Sequence, residues 1–333
     1  MYIVKSILPD VKSKLVFHLP KITVGCYFQV EKYRADGTTT YCGPWFANTV
    51  LNVGLDSLAG RRNLVPGGGD LSAVNRINVG TGTSEPATTN TGLDNFLAST
   101  GSLYGSLSVD HSVGDIAASL PAWKSFQQTF AFAIGFTGGN VNLTELGLSN
   151  ASNSSYFNRQ LFRDENNDPT VIQVQDDEGL RVTVRVVIYA PMAVDETDTG
   201  LADINGASKG YAIKQLGGDW LTGTGTAARI IAPGYIGTLS PDVYIATADG
   251  GFVAASSRSV VGYTAGSFYR EVEAVWSPGT FIGAWKRIRT QMKNTTSPTN
   301  NVGGLFVATL DEAIEILDTE EIKITFRRSW GRV

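Results

Sequence analysis

The chain has 333 residues, enough for two domains that each bury a core. Charged residues make up 17% of it, against about 25% in an ordinary globular protein, and the formal net charge of -4 argues against general affinity for a phosphate backbone. No segment reaches the apolar length of a membrane helix, so the sequence predicts a soluble protein with no nucleic-acid partner and no membrane insertion.

Glycine is abundant at 37 residues, and Thr, Ser, Asn, Val and aromatics fill the place of the missing charges. Branched and aromatic side chains suit a pleated sheet, and Gly, Asn and Asp suit tight turns. The expected fold is therefore all-β. The first 20 residues alternate apolar and basic character, with Pro9 and Pro20, and Asp10, Lys12, Lys14 and His18 interrupt any apolar run. No small-residue cleavage site follows, so the stretch reads as a docking arm and not as a signal peptide.

Residues 21–46 form an expected hairpin turning at Asp36 and Gly37, which places Glu31 opposite Cys42 and leaves Cys26 out of register with it. Both cysteines are expected free, as in a reducing cytosol. "NTVLNVGLDSLAG" predicts a short helix capped by Asn48, with Val50, Leu51, Leu55 and Leu58 apolar and Gly60 as the stop. Further on, Phe126, Phe130 and Phe132 share one strand face, although Gln127, Gln128 and Thr129 break strict alternation. "VIQVQDDEGLRVTVRVVIYAP" predicts a hairpin with Val182, Val184, Val186 and Ile188 on one side and a solvated acidic turn at Asp176, Asp177 and Glu178.

Pro191 and the acidic stretch after it suggest a boundary near residue 200. Residues 21–200 and 201–333 are then two tandem β-sandwich domains of jelly-roll-like character, with the short helix in the first. In the second, "GSFYREVEAVWSP" and "GTFIGAWKRIRTQMKN" read as strands. The closing "LFVATLDEAIEILDTEEIKITFRRSW" can be laid beside "LFRDENNDPTVIQVQDDEGLRVTVRVVIY", a pattern that suits either a duplication or two hairpins of like design.

Few residues point to chemistry. "INVGTGTSEP" places Gly80 and Gly82 after a strand, as a phosphate loop would, but no helix, lysine or third glycine follows, and Glu85 would repel an anion. The two glycines are expected to form a structural turn instead. His18 and His111 have no second ligand at metal spacing. Asp164, Asn166 and Asp168 alternate like calcium ligands, which keeps calcium as a minor possibility, but Pro169 stands where the loop glycine belongs and no closing glutamate follows. No nucleophile elbow is present, so no enzyme is expected, although two carboxylates facing a groove would suffice for glycan hydrolysis. Arg327, Arg328 and Arg332 read as a solvated strand face. Trp220, Trp276 and Trp285 are candidate carbohydrate-stacking or interface aromatics, with burial in the core as the alternative.

The order "FANTVLNVGLDSLAG", "INVGTGTSEPATTNTGLDNFLAST", "LTELGLSN", "YFNRQLFRD" and "IQVQDDEGLRVTVRVVIY" over residues 46–189 resembles a family of bacteriophage virion proteins described as tail, tail-fibre-associated or collar proteins. The resemblance covers close to half the chain and implies a β-sandwich structural protein with no catalytic or cofactor residues. The matching positions include Gly54, Asp56, Gly80, Gly82, Leu93, Glu145, Gly147, Arg159 and Phe162. In it Gly80 and Gly82 serve a turn, Leu93 and Phe162 anchor the core, and Arg159 pairs with Glu145 across strands.

The resemblance further implies a symmetric homo-oligomer in the virion, assembled in the host cytoplasm, whose partners are other phage tail or head-to-tail proteins. The rival expectations are a receptor-binding or carbohydrate-binding tail module gripping host surface glycan, a tail-borne glycan hydrolase, and a head decoration protein.

Overall fold

The computed structural model describes residues 15–59, 64, 66, 67, 72–112, 122–190, 198–204, 207–216, 241–246, 253–292 and 305–333. The chain is predominantly β, with one short helix, Asn52–Ser57, among the described residues. The hairpin at the start forms as its sequence dictates: Gly37 supplies the turn with a φ of 85°, and Glu31 pairs with Cys42. Both thiols are free, Cys26 buried and Cys42 exposed.

A nine-stranded sheet is the spine of the molecule. Its order is Ser257–Val260, Tyr269–Trp276, Ile322–Arg332, Leu15–Tyr33, Gly179–Ala190, Ala122–Phe132 and Leu103–Ser112, with Thr39–Cys42 and Phe46–Ala47 also paired to Leu15–Tyr33. Gly179–Ala190 lies between two antiparallel partners, and its inward residues Val182, Val184, Val186 and Ile188 are buried. Phe126, Phe130 and Phe132 share that face as expected, and so does Gln128. Gln128 is tolerated there because its amide donates to the carbonyls of Tyr104 and Gly105, at 3.3 and 3.4 Å.

Two smaller sheets complete two cores. In one, Thr49–Val50, Asn158–Leu161, Glu145–Ala151, Arg76–Gly80 and Phe96–Thr100 lie in that order, with Ser154–Tyr156 paired to Glu145–Ala151. Its Ile77, Val79, Leu146 and Leu148 join Val24, Phe28, Phe126 and Val184 in the larger core. In the other, Asp198–Ile204, Ala207–Leu216, Leu305–Ile316, Gly283–Met292, Pro241–Ala246 and Val253–Ala254 lie in order. Here Ile245, Trp285, Ile288 and Leu310 join Phe17, Trp276, Ile324 and Phe326 in the smaller core.

The spine crosses the boundary expected near residue 200. Ile322–Arg332 pairs in parallel with Leu15–Tyr33, so residues 15–20, expected in a docking arm, are instead strand, with Leu15 opposite Ile324 and Phe17 opposite Phe326. Residues 1–14 of that arm lie outside the described residues. The tie is reinforced by side chains. Trp330 belongs to the larger core, its indole N–H donates to the Leu55 carbonyl at 2.9 Å, and its ring stacks on Tyr263. The Tyr263 hydroxyl and the Gly266 amide both donate to the Asp56 carboxylate, at 2.5 and 2.7 Å. Its own burial and the Asp56 carboxylate beside it push the Tyr263 phenol up to about 12.

Three local expectations are corrected. Asn48 does not cap the helix: the cap position is Leu51, without a side-chain bond, because the backbone around Asn48 is already engaged in strand pairing, its N–H donating to the Cys26 carbonyl at 3.1 Å. The stretch from Ile172 to Ala190 is not a hairpin, since Ile172–Val174 pairs with Val141–Leu143 while Gly179–Ala190 joins the spine. The closing stretch makes the same crossing: Leu305–Ile316 pairs with Ala207–Leu216 and Gly283–Met292, whereas Ile322–Arg332 joins the spine. Both acidic turns are therefore passages from one sheet to another.

Candidate functional site

The stretch after Gly80 does hold an anion, and the anion is the protein's own. Glu145 pairs with Gly80 on one side of its strand and with Leu161 on the other, which places Arg159 diagonally across from it. Both side chains are fully buried. Glu145 Oε1 accepts the amide N–H groups of Gly82 and Asn95 at 2.9 and 2.8 Å, while Oε2 accepts that of Asp94 at 3.0 Å and the Arg159 Nε–H at 2.9 Å. The carboxylate is thus saturated from both ends of the segment between residues 81 and 95.

Arg159 spends the rest of its fork on the same segment. Its Nη2 reaches Asp94 Oδ2 at 2.7 Å and the Ser84 carbonyl at 3.0 Å, and Nη1 donates to Asn90 Oδ1 at 3.1 Å. Ser84 Oγ also donates to Asp94. Burial would raise the Asp94 carboxyl, but the Ser84 hydroxyl and the Arg159 guanidinium outweigh it and hold the carboxyl below its ordinary value. The result is a long loop without strand or helix, folded around one buried arginine and the two carboxylates it pairs with.

This geometry corrects the reason for the glycines. Neither Gly80 nor Gly82 has a φ in the left-handed region, so a left-handed turn is not what requires them. A Cβ at Gly80 would lie 2.4 Å from the Asn95 carbonyl oxygen and 2.7 Å from Glu145 Oε1. At Gly82 it would lie 2.4 Å from both Asp94 Cβ and Glu145 Oε1. They are glycine because the buried carboxylate and the returning loop occupy the space of a side chain. Gly147, whose Cβ would meet the Asn158 carbonyl oxygen at 2.6 Å, widens the same face.

The acidic turn is only partly solvated. Asp176 and Asp177 are exposed, but Glu178 is buried. It accepts from Lys32 Nζ at 2.9 Å, Thr40 Oγ1 at 2.7 Å and the Gln175 amide at 3.0 Å. Burial alone would raise this carboxyl, yet the Lys32 and Thr40 bonds bring it down to about 2. Solvation fails here because the chain must turn inward to enter the spine at Gly179, which carries Glu178 with it.

The remaining candidates are dispersed. Asp164, Asn166 and Asp168 lie on an exposed loop between Arg163 and Pro169, where Asp164 Oδ1 accepts the amides of Asn166 and Asp168, both at 2.9 Å. Among the described residues no group of three His, Cys, Asp or Glu is arranged to hold a metal ion. Trp276 and Trp285 are core residues, 0% and 2% exposed, and the Trp276 indole donates to the Val253 carbonyl at 3.1 Å. Trp220 lies outside the described residues. Arg327 is no free cation, since its Nε and Nη2 both donate to Glu271, at 2.9 and 2.6 Å. Arg332 instead donates to the Val50 carbonyl and to Asn52, at 2.9 and 2.6 Å.

A cavity of about 220 Å³ opens beside Cys26, Asn48 and Arg332. Burial pushes the Cys26 thiol up to about 12, so at neutral pH it is a protonated core side chain and no nucleophile.

What sequence reading missed lies on the outer face of the spine. Arg185 is exposed and sits 5.0 Å from the Trp45 ring centre. Arg181 lies between the rings of Tyr33 and Tyr104, at 4.1 and 4.0 Å. The available signal was the two arginines at outward positions of "RVTVRVVIY", in a strand whose alternate residues are all apolar.

No protein-family model matches the chain, and no curated protein or solved structure matches it either. No helix among the described residues is long and apolar enough to cross a membrane.

Proposed function

We propose that the chain is a non-enzymatic structural component of a tailed-bacteriophage virion, working through subunit interfaces in the tail, at a fibre attachment or in the collar. The observation that carries this reading is the convergence of the residues behind the resemblance. Gly80, Gly82, Glu145 and Arg159, dispersed over 80 positions, meet around the Glu145–Arg159 ion pair, and Leu161 and Phe162 follow Arg159 into buried positions. Their chemistry is spent on holding a loop to a sheet, as an architectural role requires. In this reading the two cores are two β-sandwich units built on one shared sheet, and the protein is a homo-oligomer of the virion, assembled in the host cytoplasm.

Light scattering of the purified protein, combined with add-back to phage particles lacking it, tests the proposal. A defined oligomer that rejoins such particles supports it. A monomer that ignores the particles and is retained by host polysaccharide would overturn it in favour of a glycan-binding module.

A further inference from the structure

The outer face of the spine has the chemistry of a contact surface. Arg185 stands opposite Tyr27 and over Trp45, and Trp45 and Tyr104 are 37% and 51% exposed. Arg181 is matched by Glu31 at 2.5 Å, whereas Arg185 makes no ion pair among the described residues. Tryptophan, tyrosine and arginine are the residues that dominate binding at protein interfaces, while lysine and acidic residues are depleted there. An arginine stacked on an aromatic ring has lost little freedom still to be lost, and its planar fork suits a carboxylate.

The complement of this face lies on the same chain, at the tip of the sheet containing Gly283–Met292 and Leu305–Ile316. Gly283 pairs with Ile316, so Ile282 and Leu317 emerge side by side at the end of that pair. They are 63% and 57% exposed, and Glu315 and Asp318, both exposed, flank Leu317. One surface offers aromatic rings around an unmatched cation. The other offers two aliphatic side chains between carboxylates.

We propose that the outer face at Arg185 and Trp45 receives the Ile282 and Leu317 tip of a second copy of this chain, with Glu315 and Asp318 facing Arg185. Because the two patches differ, the contact is heterologous. It repeats from copy to copy and closes into a ring or extends as a filament. The proposal rests on the reading of the chain as an assembly protein and supplies the surfaces through which copies would meet.

Sedimentation velocity and mass photometry at low and high salt test it with two variants, Arg185→Glu and the pair Glu315→Arg with Asp318→Arg. All three side chains are exposed, so each variant should keep the wild-type far-ultraviolet circular dichroism and thermal midpoint. The wild type is expected to form oligomers that weaken with salt, and each variant alone should associate roughly 30-fold or more weakly. An equimolar mixture of the two variants restores the oligomer, because the reversed face of one then meets the reversed tip of the other. A monomeric wild type, variants that assemble as well as the wild type, or a mixture that stays monomeric would each overturn the contact. An oligomer indifferent to these reversals sinks this contact and leaves the virion reading standing. A charge-dependent oligomer that fails to rejoin particles does the reverse.

Discussion

Glu145 and Glu178 are two buried carboxylates in two regions of one chain, and they are held in different ways. Glu145 faces an arginine with no exposed surface and takes three backbone amides from a single loop. Glu178 sits in a turn, and its partner Lys32 keeps 16% of its side chain in water. The first pair is sealed, so losing one member strands the other in a dry interior. The second can relax, because a lysine freed of its partner extends to solvent along its flexible stem. The contrast separates an ion pair that fixes the path of a long loop from one that pins a single crossing between sheets.

The sealed pair carries the largest expected effect. Arg159→Met should cost about 3–5 kcal/mol in urea unfolding, because it leaves the Glu145 charge buried without its counter-cation. A loss below about 1 kcal/mol would show that the loop is held by something else. Gly82→Ala should cost about 1–3 kcal/mol, since its new Cβ overlaps Asp94 and Glu145. The source of that cost is contact and not backbone angle, so in the background of Glu145→Ala the same substitution should cost markedly less. A double-mutant cycle checks this.

At the weaker end, Glu178→Gln should lower stability at neutral pH by about 1–3 kcal/mol and flatten its acid dependence. The folded carboxyl titrates near 2 against an ordinary value of 4.5. Its stabilisation is therefore complete above about pH 4.5 and is lost as pH falls through that value toward 2. Urea midpoints measured across this window should converge for the wild type and the variant at the acid end. Trp330→Phe should likewise cost about 1–3 kcal/mol in thermal unfolding, for the lost bond to the Leu55 carbonyl and the core volume it vacates.

Much of the local fabric was legible in the sequence. The turn at Gly37, the Glu31 to Cys42 register and the buried stripe of Val182, Val184, Val186 and Ile188 all follow from period-two patterning and turn chemistry. The pairing of Glu145 with Arg159, expected from the resemblance alone, is present. Pairing between distant strands was not legible, because alternation says that a strand has an inner face and not which strand lies beside it. For that reason two crossings between sheets read as hairpins, and a helix cap was assigned to an asparagine already engaged in a sheet. The purpose of Gly80 and Gly82 was hidden for a related reason. A glycine required by a side chain 63 or more residues away looks the same in sequence as one required by its own φ.

The parallel pairing of Ile322–Arg332 with Leu15–Tyr33 also governs the order of events during synthesis. A ribosome delivers Leu15–Tyr33 first, yet one flank of its opening residues must wait for a strand roughly 300 residues later. Until then Phe17 has neither the neighbouring strand nor most of its apolar companions, and a row of backbone donors and acceptors stands open to any other nascent chain. Closing so long a loop is slow, because its entropy is lost before the contacts repay it. This flank of the spine closes only when Ile322–Arg332 arrives, and the interval before it is when Leu15–Tyr33 is most exposed to mispairing with its own kind.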